Sequence, residues 1–97
     1  TKDILKELGL LKKQHQVLVG FALETNNEKV NALQKLQSKN ADLIVLNSLQ
    51  DAGAGFGYDT NKITVFDKAG EEISYPVKSK SEVAADIVDL IQKKFYV

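Results

Sequence analysis

The feature that most constrains the fold is an apolar run over residues 17–23 that turns polar within a few positions. A nearly unbroken run of this length is typical of a β-strand covered on both faces, whereas a half-exposed strand alternates. A helical pattern follows at once, and Thr25 and Glu28 have the spacing of a capping box. Strand, polar turn and capped helix predict the start of an α/β unit, which binds ligands beyond the carboxyl end of its strand. The unpaired N–H groups of the first helical turn favour an anionic ligand there.

A second apolar strand is expected at residues 43–46, after a helix over about residues 26–38. Two strands joined by one helix form a right-handed crossover, so the strands run parallel and their carboxyl ends share one edge of the sheet. The turn at residues 22–27 should therefore lie near Asn47. The positions expected on the inner face of the helix are Val30, Leu33, Leu36 and Gln37, with Ala32 beside them.

The remaining elements are a first helix, a hairpin and a final helix. Thr1 is the expected cap of the first helix, whose apolar stripe is Ile4, Leu5, Leu8 and Leu11. Alternation over residues 63–66 and 72–75 predicts an antiparallel hairpin, and Ser79 or Ser81 should cap a last helix to about Phe95. The order α-β-α-β-β-β-α predicts a three-layer, Rossmann-like α/β sandwich with a partly parallel sheet and an antiparallel hairpin extension.

Composition limits the classes of partner. The 97 residues suffice for one domain, and 13 basic residues balance 13 acidic ones, so no overall field attracts nucleic acid or an anionic membrane. There is no cysteine, which excludes disulfides, thiolate zinc sites and cysteine nucleophiles. No apolar run approaches the roughly 20 residues of a membrane span. We expect a cytoplasmic protein. Because the chain begins at Thr1 inside a helical pattern, we also expect it to be a piece of a longer protein.

Five motifs occur in order along almost the whole chain. They are VGFA-x-ET at residues 19–25, Lys35, DLIV-x-N at 42–47, GF-x-x-D-x-N at 55–61 and SK-x-EVA at 79–84. Together they resemble the C-terminal part of bacterial phosphopantothenate–cysteine ligase, also called phosphopantothenoylcysteine synthetase. That ligase is the second half of the bifunctional DNA/pantothenate metabolism flavoprotein.

The resemblance implies an enzyme of coenzyme A biosynthesis. The family uses CTP to activate the carboxylate of 4′-phosphopantothenate as an acyl-cytidylate, and the amine of cysteine then displaces CMP. It implies Mg²⁺ as a helper and a homodimer in which one subunit completes the other's site. FMN belongs to the decarboxylase half, which is absent here. Residues 1–97 would then be a C-terminal fragment of a larger CTP-dependent ligase domain, inactive alone.

Lys35 is the catalytic residue that the resemblance implies. Activation of a carboxylate on a nucleotide phosphate concentrates negative charge at phosphorus, and a fixed ammonium stabilises that charge. The plainer interpretation is a solvated helix lysine. Lys35 lies more than two turns after Thr25, so it must lean toward the sheet edge to reach a ligand. Ala22 matches the position whose backbone meets the cytosine ring, although a small residue there could equally serve packing. Asn27, with Asn26, could bind phosphate or metal-bound water, or simply cap the helix.

Three more residues complete the expected nucleotide site. Phe56, in the glycine-rich loop, could stack on the base or belong to the core. Lys78 and Lys80 match a segment that closes over the triphosphate, although lysines at a helix start are usually solvated. Asp59 and Asn61 are expected to close the loop through bonds to its backbone. Asn27 and Ser48 replace acidic residues of relatives, with Asp51 the nearest acid, so the metal ligands stay unassigned.

A non-catalytic alternative is a dimerisation module. The hairpin over residues 63–75 exposes a sheet edge, and its alternating apolar residues, among them Phe66, could pair with a second copy about a two-fold axis.

Overall fold

The structure, a computed structural model, describes residues 2–48 and 60–96. Its elements in chain order are α1 (Ile4–Leu11), β1 (Val19–Glu24), α2 (Glu28–Ser38), β2 (Leu43–Ser48), β3 (Thr60–Asn61), β4 (Ile63–Asp67), β5 (Glu72–Ser74), β6 (Lys78–Ser79) and α3 (Lys80–Phe95). The α/β class is confirmed. Two short strands, β3 and β6, were not predicted.

The main sheet has the order β1-β2-β4-β5. β1 and β2 are parallel, with Ala22 opposite Leu46, while β4 and β5 continue the sheet antiparallel as the predicted hairpin. β3 and β6 form a separate antiparallel ribbon, and β6 leads directly into α3. The crossover through α2 is therefore confirmed, and β1 and β5 are the two edges of the main sheet.

Two apolar cores lie on opposite faces of this sheet. On one face Ile44 and Leu46 pack with Ala32 and Leu36 of α2, and on the other Leu43 and Val45 pack with Val83 of α3. Successive side chains of a strand point to opposite faces, so the unbroken apolar run of β2 serves both cores. This arrangement gives the three layers expected from the sequence.

β1 departs from the expectation that both its faces are covered. Gly20 and Ala22 are buried on the α2 face, but Phe21 is 67% exposed and Leu23 is 46% exposed on the other. The reason is position: β1 lies at the sheet edge, while α3 packs on residues of β2 and β4. The prediction of a doubly covered first strand is wrong for this chain.

The starts of the first two helices also differ from prediction. Asp3 caps α1, its carboxylate accepting from the N–H of Lys6 at 3.0 Å, and the cap predicted at Thr1 lies outside the described residues. The prediction of Thr25 as the cap of α2 is wrong, because α2 begins at Glu28 and its N-cap is Asn27, in the left-handed conformation (φ 45°). Asparagine tolerates this conformation better than most residues, which allows a tight exit from the strand.

The inner face of α2 was predicted too broadly, and the cap of α3 was predicted correctly. In α2 only Ala32 and Leu36 are buried, and Val30 and Leu33 are exposed. The capping box at the start of α3 is confirmed: Ser79 Oγ accepts from the N–H of Glu82 at 3.2 Å, and the Glu82 carboxylate accepts from the N–H of Ser79 at 3.2 Å.

Candidate functional site

The carboxyl ends of β1 and β2 lie side by side, as the crossover predicts. Leu23 is opposite Asn47, and Glu24 is opposite Ser48. The turn between β1 and α2 therefore emerges next to the end of β2. In α/β sheets this edge is the usual place for a ligand.

Lys35 reaches this edge from α2. Its Nζ lies 2.8 Å from Oε2 of Glu24, the last residue of β1. Asn31 holds the same carboxylate, donating from Nδ2 to Glu24 Oε1 at 3.1 Å. The Lys35 side chain is 40% exposed and that of Glu24 is 12% exposed. The ammonium is thus directed to the sheet edge and is still open to solvent. The supporting roles of Glu24 and Asn31 were not predicted from the sequence.

Ala22 and Asn27 lie on either side of the same turn. The Ala22 side chain is buried in the core beneath α2, so only its backbone is available to a ligand. Asn27 is exposed, and its carbonyl accepts the first helical hydrogen bond, from Asn31 N–H at 2.9 Å. It makes no side-chain cap bond. As the N-cap residue, Asn27 holds its carboxamide at the start of α2, where the helix dipole favours an anion.

A cavity of about 200 Å³ lies at this edge, on the α3 side of the sheet. Its lining residues are Phe21, Ala22, Leu23, Val45, Asn47, Asn61, Ile63, Val83 and Ile87. Within the described residues, the buried Oδ1 atoms of Asn47 and Asn61 accept no hydrogen bond. A buried acceptor without a donor costs about 1–3 kcal/mol, so these oxygens mark a place for a donor.

The two asparagines were not predicted as a pair. Asn61 was expected to close a loop through its backbone, but its oxygen instead lies unsatisfied in this cavity. A polar amide that ends the apolar strand β2 was the available signal for Asn47. No sequence pattern indicated that β3 would bring Asn61 beside it.

Lys78 lies on the α3 side of the edge, in β6, opposite Asn61 in β3. Its Nζ donates to Asp86 Oδ2 at 2.7 Å and lies 5.8 Å from the centre of the Tyr75 ring. The hydrogen bond to Asp86 raises the pKa of Lys78 above its ordinary value. Lys80 is exposed at the first residue of α3. Phe56, Asp51 and Asp59 lie outside the described residues.

The described residues do not form a metal centre. Residues 2–48 and 60–96 contain no group of three or more His, Cys, Asp or Glu side chains that could hold a metal ion. The Glu24 carboxylate at this edge is engaged by Lys35 and Asn31. Among the helices of the same ranges, none has the length and apolarity that a membrane crossing needs.

A separate charge cluster ties the far end of the sheet to α3. Lys94 Nζ lies 2.7 Å from Asp67 Oδ2 and 2.5 Å from Glu71 Oε1. Burial acts to raise the pKa of Asp67, but hydrogen bonds from Lys94 and from the Glu71 N–H outweigh it, so the pKa lies below 3.8. This cluster is at the opposite end of β4 from the carboxyl edge and has a structural role.

The fold and this edge define a class of protein: a three-layer α/β domain with a cavity at the carboxyl ends of a parallel strand pair. Residues 1–95 match the family model described as the DNA/pantothenate metabolism flavoprotein C-terminal domain. The chain belongs to this family, and the resemblance inferred from its motifs is confirmed.

Curated relatives match nearly the whole chain. It is 58% identical over 88 residues to a protein named cysteine/cysteine sulfinic acid decarboxylase, from an unknown prokaryotic organism, covering 91% of this chain and 24% of that protein. It is 50% identical over 91 residues to the coenzyme A biosynthesis bifunctional protein CoaBC of Bacillus subtilis, covering 94% of this chain and 22% of that protein. The chain thus spans about a quarter of the length of these relatives.

Solved structures agree with the fold. The crystal structure of the C-terminal domain of a coenzyme A biosynthesis bifunctional protein CoaBC matches with a TM-score of 0.79 and 46% identity, covering 96% of this chain and 44% of that one. The DNA/pantothenate metabolism flavoprotein of Streptococcus pneumoniae matches with a TM-score of 0.67 at 21% identity, covering 96% of this chain and 41% of that one, and supports the fold alone.

Proposed function

We propose that this chain is the C-terminal, nucleotide-binding portion of a CTP-dependent phosphopantothenate–cysteine ligase of coenzyme A biosynthesis. The observation that carries the proposal is the Lys35 ammonium, held by Glu24 at the carboxyl edge of the parallel pair. The 50% identity to the CoaBC protein of Bacillus subtilis supports the same pathway. Another relative, 58% identical, is named cysteine/cysteine sulfinic acid decarboxylase, and both relatives are matched over about a quarter of their length. The family that matches residues 1–95 is described by pantothenate metabolism, which favours the ligase.

The proposed reaction has two steps. The carboxylate of 4′-phosphopantothenate attacks the α-phosphorus of CTP, pyrophosphate leaves, and an acyl-cytidylate forms. The amine of cysteine then attacks the acyl carbon, and CMP leaves as the amide forms. Lys35 would stabilise the charge that develops on the α-phosphate oxygens in the first step. Glu24 and Asn31 would hold Lys35 in place, since a positioned ammonium stabilises a transition state better than a mobile one.

The base would lie on the α3 side of the edge. The Ala22 backbone would contact the cytosine ring, with Phe56 stacked on it. The unsatisfied oxygens of Asn47 and Asn61 would accept hydrogen bonds from the exocyclic amine of cytosine, a donor that uracil lacks. Their place in the cavity supports a preference for CTP over UTP.

The triphosphate would extend toward α2, where Asn27 and the first N–H groups of the helix can donate to it. Lys78 and Lys80 would approach from the other side, with Lys78 exchanging Asp86 for phosphate. The described residues do not fit a dedicated magnesium site, so Mg²⁺ would enter with the nucleotide phosphates, which commonly hold it. We propose a homodimer as the working form. FMN is expected only with a decarboxylase half, not with this chain.

The test is titration with CTP and magnesium by calorimetry, applied to the longer protein and to this chain. We expect the longer protein to bind CTP saturably. This chain alone should bind CTP more weakly and should not catalyse the reaction. UTP should bind no more tightly than CTP. Absence of CTP binding by both would contradict the proposal.

A dimerisation module remains the second candidate, because β5 is an edge of the main sheet. The change suggested by the hairpin pattern, Phe66→Lys, would not test it, since Phe66 is buried in the core beneath α2. Ser74→Pro is the better variant: the N–H of Tyr75 donates to Ile63, so by alternation the N–H of Ser74 faces away from β4. Loss of the dimer in gel filtration with CTP binding intact would favour assembly as the task of the hairpin.

A further inference from the structure

Helix α1, the end of α2 and the turn between β4 and β5 meet around Asn40. The Asn40 backbone is in the left-handed conformation (φ 55°), and its side-chain Nδ2 donates to the carbonyl of Gly9 in α1 at 2.9 Å. Because the amide nitrogen is engaged there, the Oδ1 atom is left for a different donor. That donor is Lys68 of the turn, whose Nζ lies 2.7 Å from Asn40 Oδ1.

A second ammonium group lies beside that of Lys68. Lys12 Nζ donates to the carbonyl of the same Asn40 at 2.8 Å and to Asp42 Oδ2 at 3.1 Å. The Lys12 side chain is 12% exposed, so these contacts fix its position. Partial burial of the amine and the neighbouring Lys12 ammonium both lower the pKa of Lys68, and the Asp42 carboxylate acts against them.

The carboxylates of the turn are engaged by another lysine. Asp67 and Glu71 both pair with Lys94 of α3. Within the described residues eight lysines form an ion pair with a carboxylate, whereas the hydrogen bond of Lys68 goes to an amide oxygen. Lys68 is therefore a lysine that has a cation, rather than a carboxylate, beside its amine.

This environment favours reaction of the Lys68 amine with a carbonyl carbon. An amine must be neutral to act as a nucleophile, and a neighbouring cation is one of the ways in which proteins activate a lysine. The side chain is also accessible, since residues 68–70 of the turn are exposed. A cavity of about 250 Å³ beside it provides room for a reagent, and its lining residues are Asp42, Asp67, Lys68, Ala69, Lys94 and Phe95.

We propose that Lys68 is an acylation site, at which the amine takes the acyl group of a thioester or of an acyl phosphate. The Lys68 ammonium first loses a proton to water. The nitrogen lone pair then attacks the carbonyl carbon, a C–N bond forms, and the bond from that carbon to sulfur or to the phosphate oxygen breaks. The thiolate or phosphate leaves with the bonding electrons, and the nitrogen gives a further proton to solvent.

The acylated side chain fits the same surroundings. Its remaining N–H can still donate to Asn40 Oδ1, and the repulsion between Lys68 and Lys12 is removed. The site lies at the opposite end of β2 from the proposed nucleotide site, because Asp67 at the start of the turn is opposite Leu43, the first residue of β2. The proposal therefore does not rest on CTP binding.

The first test incubates the longer protein with acetyl-CoA or, separately, with acetyl phosphate, and follows the acetylation of each lysine by mass spectrometry. Lys29 is the control, because its side chain is 64% exposed and its ammonium pairs with Glu72 at 3.0 Å. With at least one donor, Lys68 should be acetylated at least about threefold faster than Lys29. Reaction with acetyl-CoA alone would identify thioesters as the source, and reaction with acetyl phosphate alone would identify acyl phosphates. A smaller ratio with both donors would overturn the proposal.

The second test removes the neighbouring cation with Lys12→Met. Because Asp42 is then free to pair with Lys68, acetylation of Lys68 should slow at least about threefold, with the rate at Lys29 unchanged. A pH series on the protein without this substitution keeps the test valid if the variant does not fold, since the rate at Lys68 should rise at lower pH than the rate at Lys29. An unchanged rate at Lys68 in the folded variant, or the same pH dependence for both lysines, would overturn the proposal.

Discussion

Replacement of Lys35 by methionine tests the chemistry of the edge most sharply. Methionine keeps most of the length and apolar surface of lysine and removes the ammonium that lies 2.8 Å from Glu24. The pair is partly open to solvent, so its loss should cost at most about 1 kcal/mol of folding free energy. Glu24 keeps its hydrogen bond from Asn31, which limits the penalty for its carboxylate.

The effect on catalysis should be much larger than the effect on stability. Removal of one group that stabilises transition-state charge typically lowers kcat by about 100- to 1,000-fold, or roughly 2.7–4 kcal/mol. We expect Lys35→Met to show this loss in a pyrophosphate-release assay of the longer protein with saturating CTP, 4′-phosphopantothenate and cysteine. Its melting temperature should change by only a few degrees.

Lys29 provides the matched control for this experiment. It lies in the first turn of the same helix, but its side chain is 64% exposed and its ammonium pairs at 3.0 Å with Glu72 of β5. Glu72 lies opposite Phe66, which is level with the amino end of β2, so the Lys29 ammonium is directed away from the carboxyl edge. Lys29→Met should keep kcat within about twofold, because it removes an equal charge from elsewhere on α2. The reasoning is refuted if both variants lose kcat equally, or if Lys35→Met retains more than a third of it.

Three further predictions concern stability. Asp67→Asn removes one of the two carboxylates that pair with Lys94. Because folding lowers the pKa of Asp67, the stabilisation that this carboxylate contributes is present above pH 3.8 and is lost on acidification below it. The free energy of unfolding of the variant should therefore depend less on pH in this range, and an unchanged pH profile would contradict us. Ser79→Ala removes the cap of α3 and should lower the free energy of unfolding by about 1 kcal/mol in urea, and a loss below about 0.3 kcal/mol would argue against the capping box. Leu36→Ala should cost about 2–5 kcal/mol because Leu36 is buried, and Leu33→Ala less than about 1 kcal/mol because Leu33 is exposed, with equal costs contradicting the assigned inner face of α2.

The same sequence pattern gave one right and one wrong result for the two parallel strands. The unbroken apolar run of β2 correctly predicts burial on both faces, because the strand lies between β1 and β4. The run of β1 looks the same, yet Phe21 is exposed. An apolar run indicates that both faces of a strand are suited to burial. Whether each face is buried depends on which elements pack against it.

Local signals and distant contacts differed in how well the sequence predicted them. The capping box at Ser79 depends on residues three apart, and it formed as expected. The predicted start of α2 was wrong because two candidate caps, Thr25 and Asn27, lie within one helical turn. The path of the chain as it leaves β1 makes Asn27 the cap. The approach of Lys35 to Glu24 follows from parallel strand and helix geometry. The meeting of Asn47 and Asn61 does not, since it depends on where the β3–β6 ribbon lies.

The most direct test of the central claim is a crystal structure of the longer protein with CTP and magnesium. The account predicts phosphate oxygens within about 3 Å of Lys35 Nζ, and the cytosine amine bonded to the oxygens of Asn47 and Asn61. A triphosphate bound away from the carboxyl edge of β1 and β2, with Lys35 still paired only to Glu24, would contradict it.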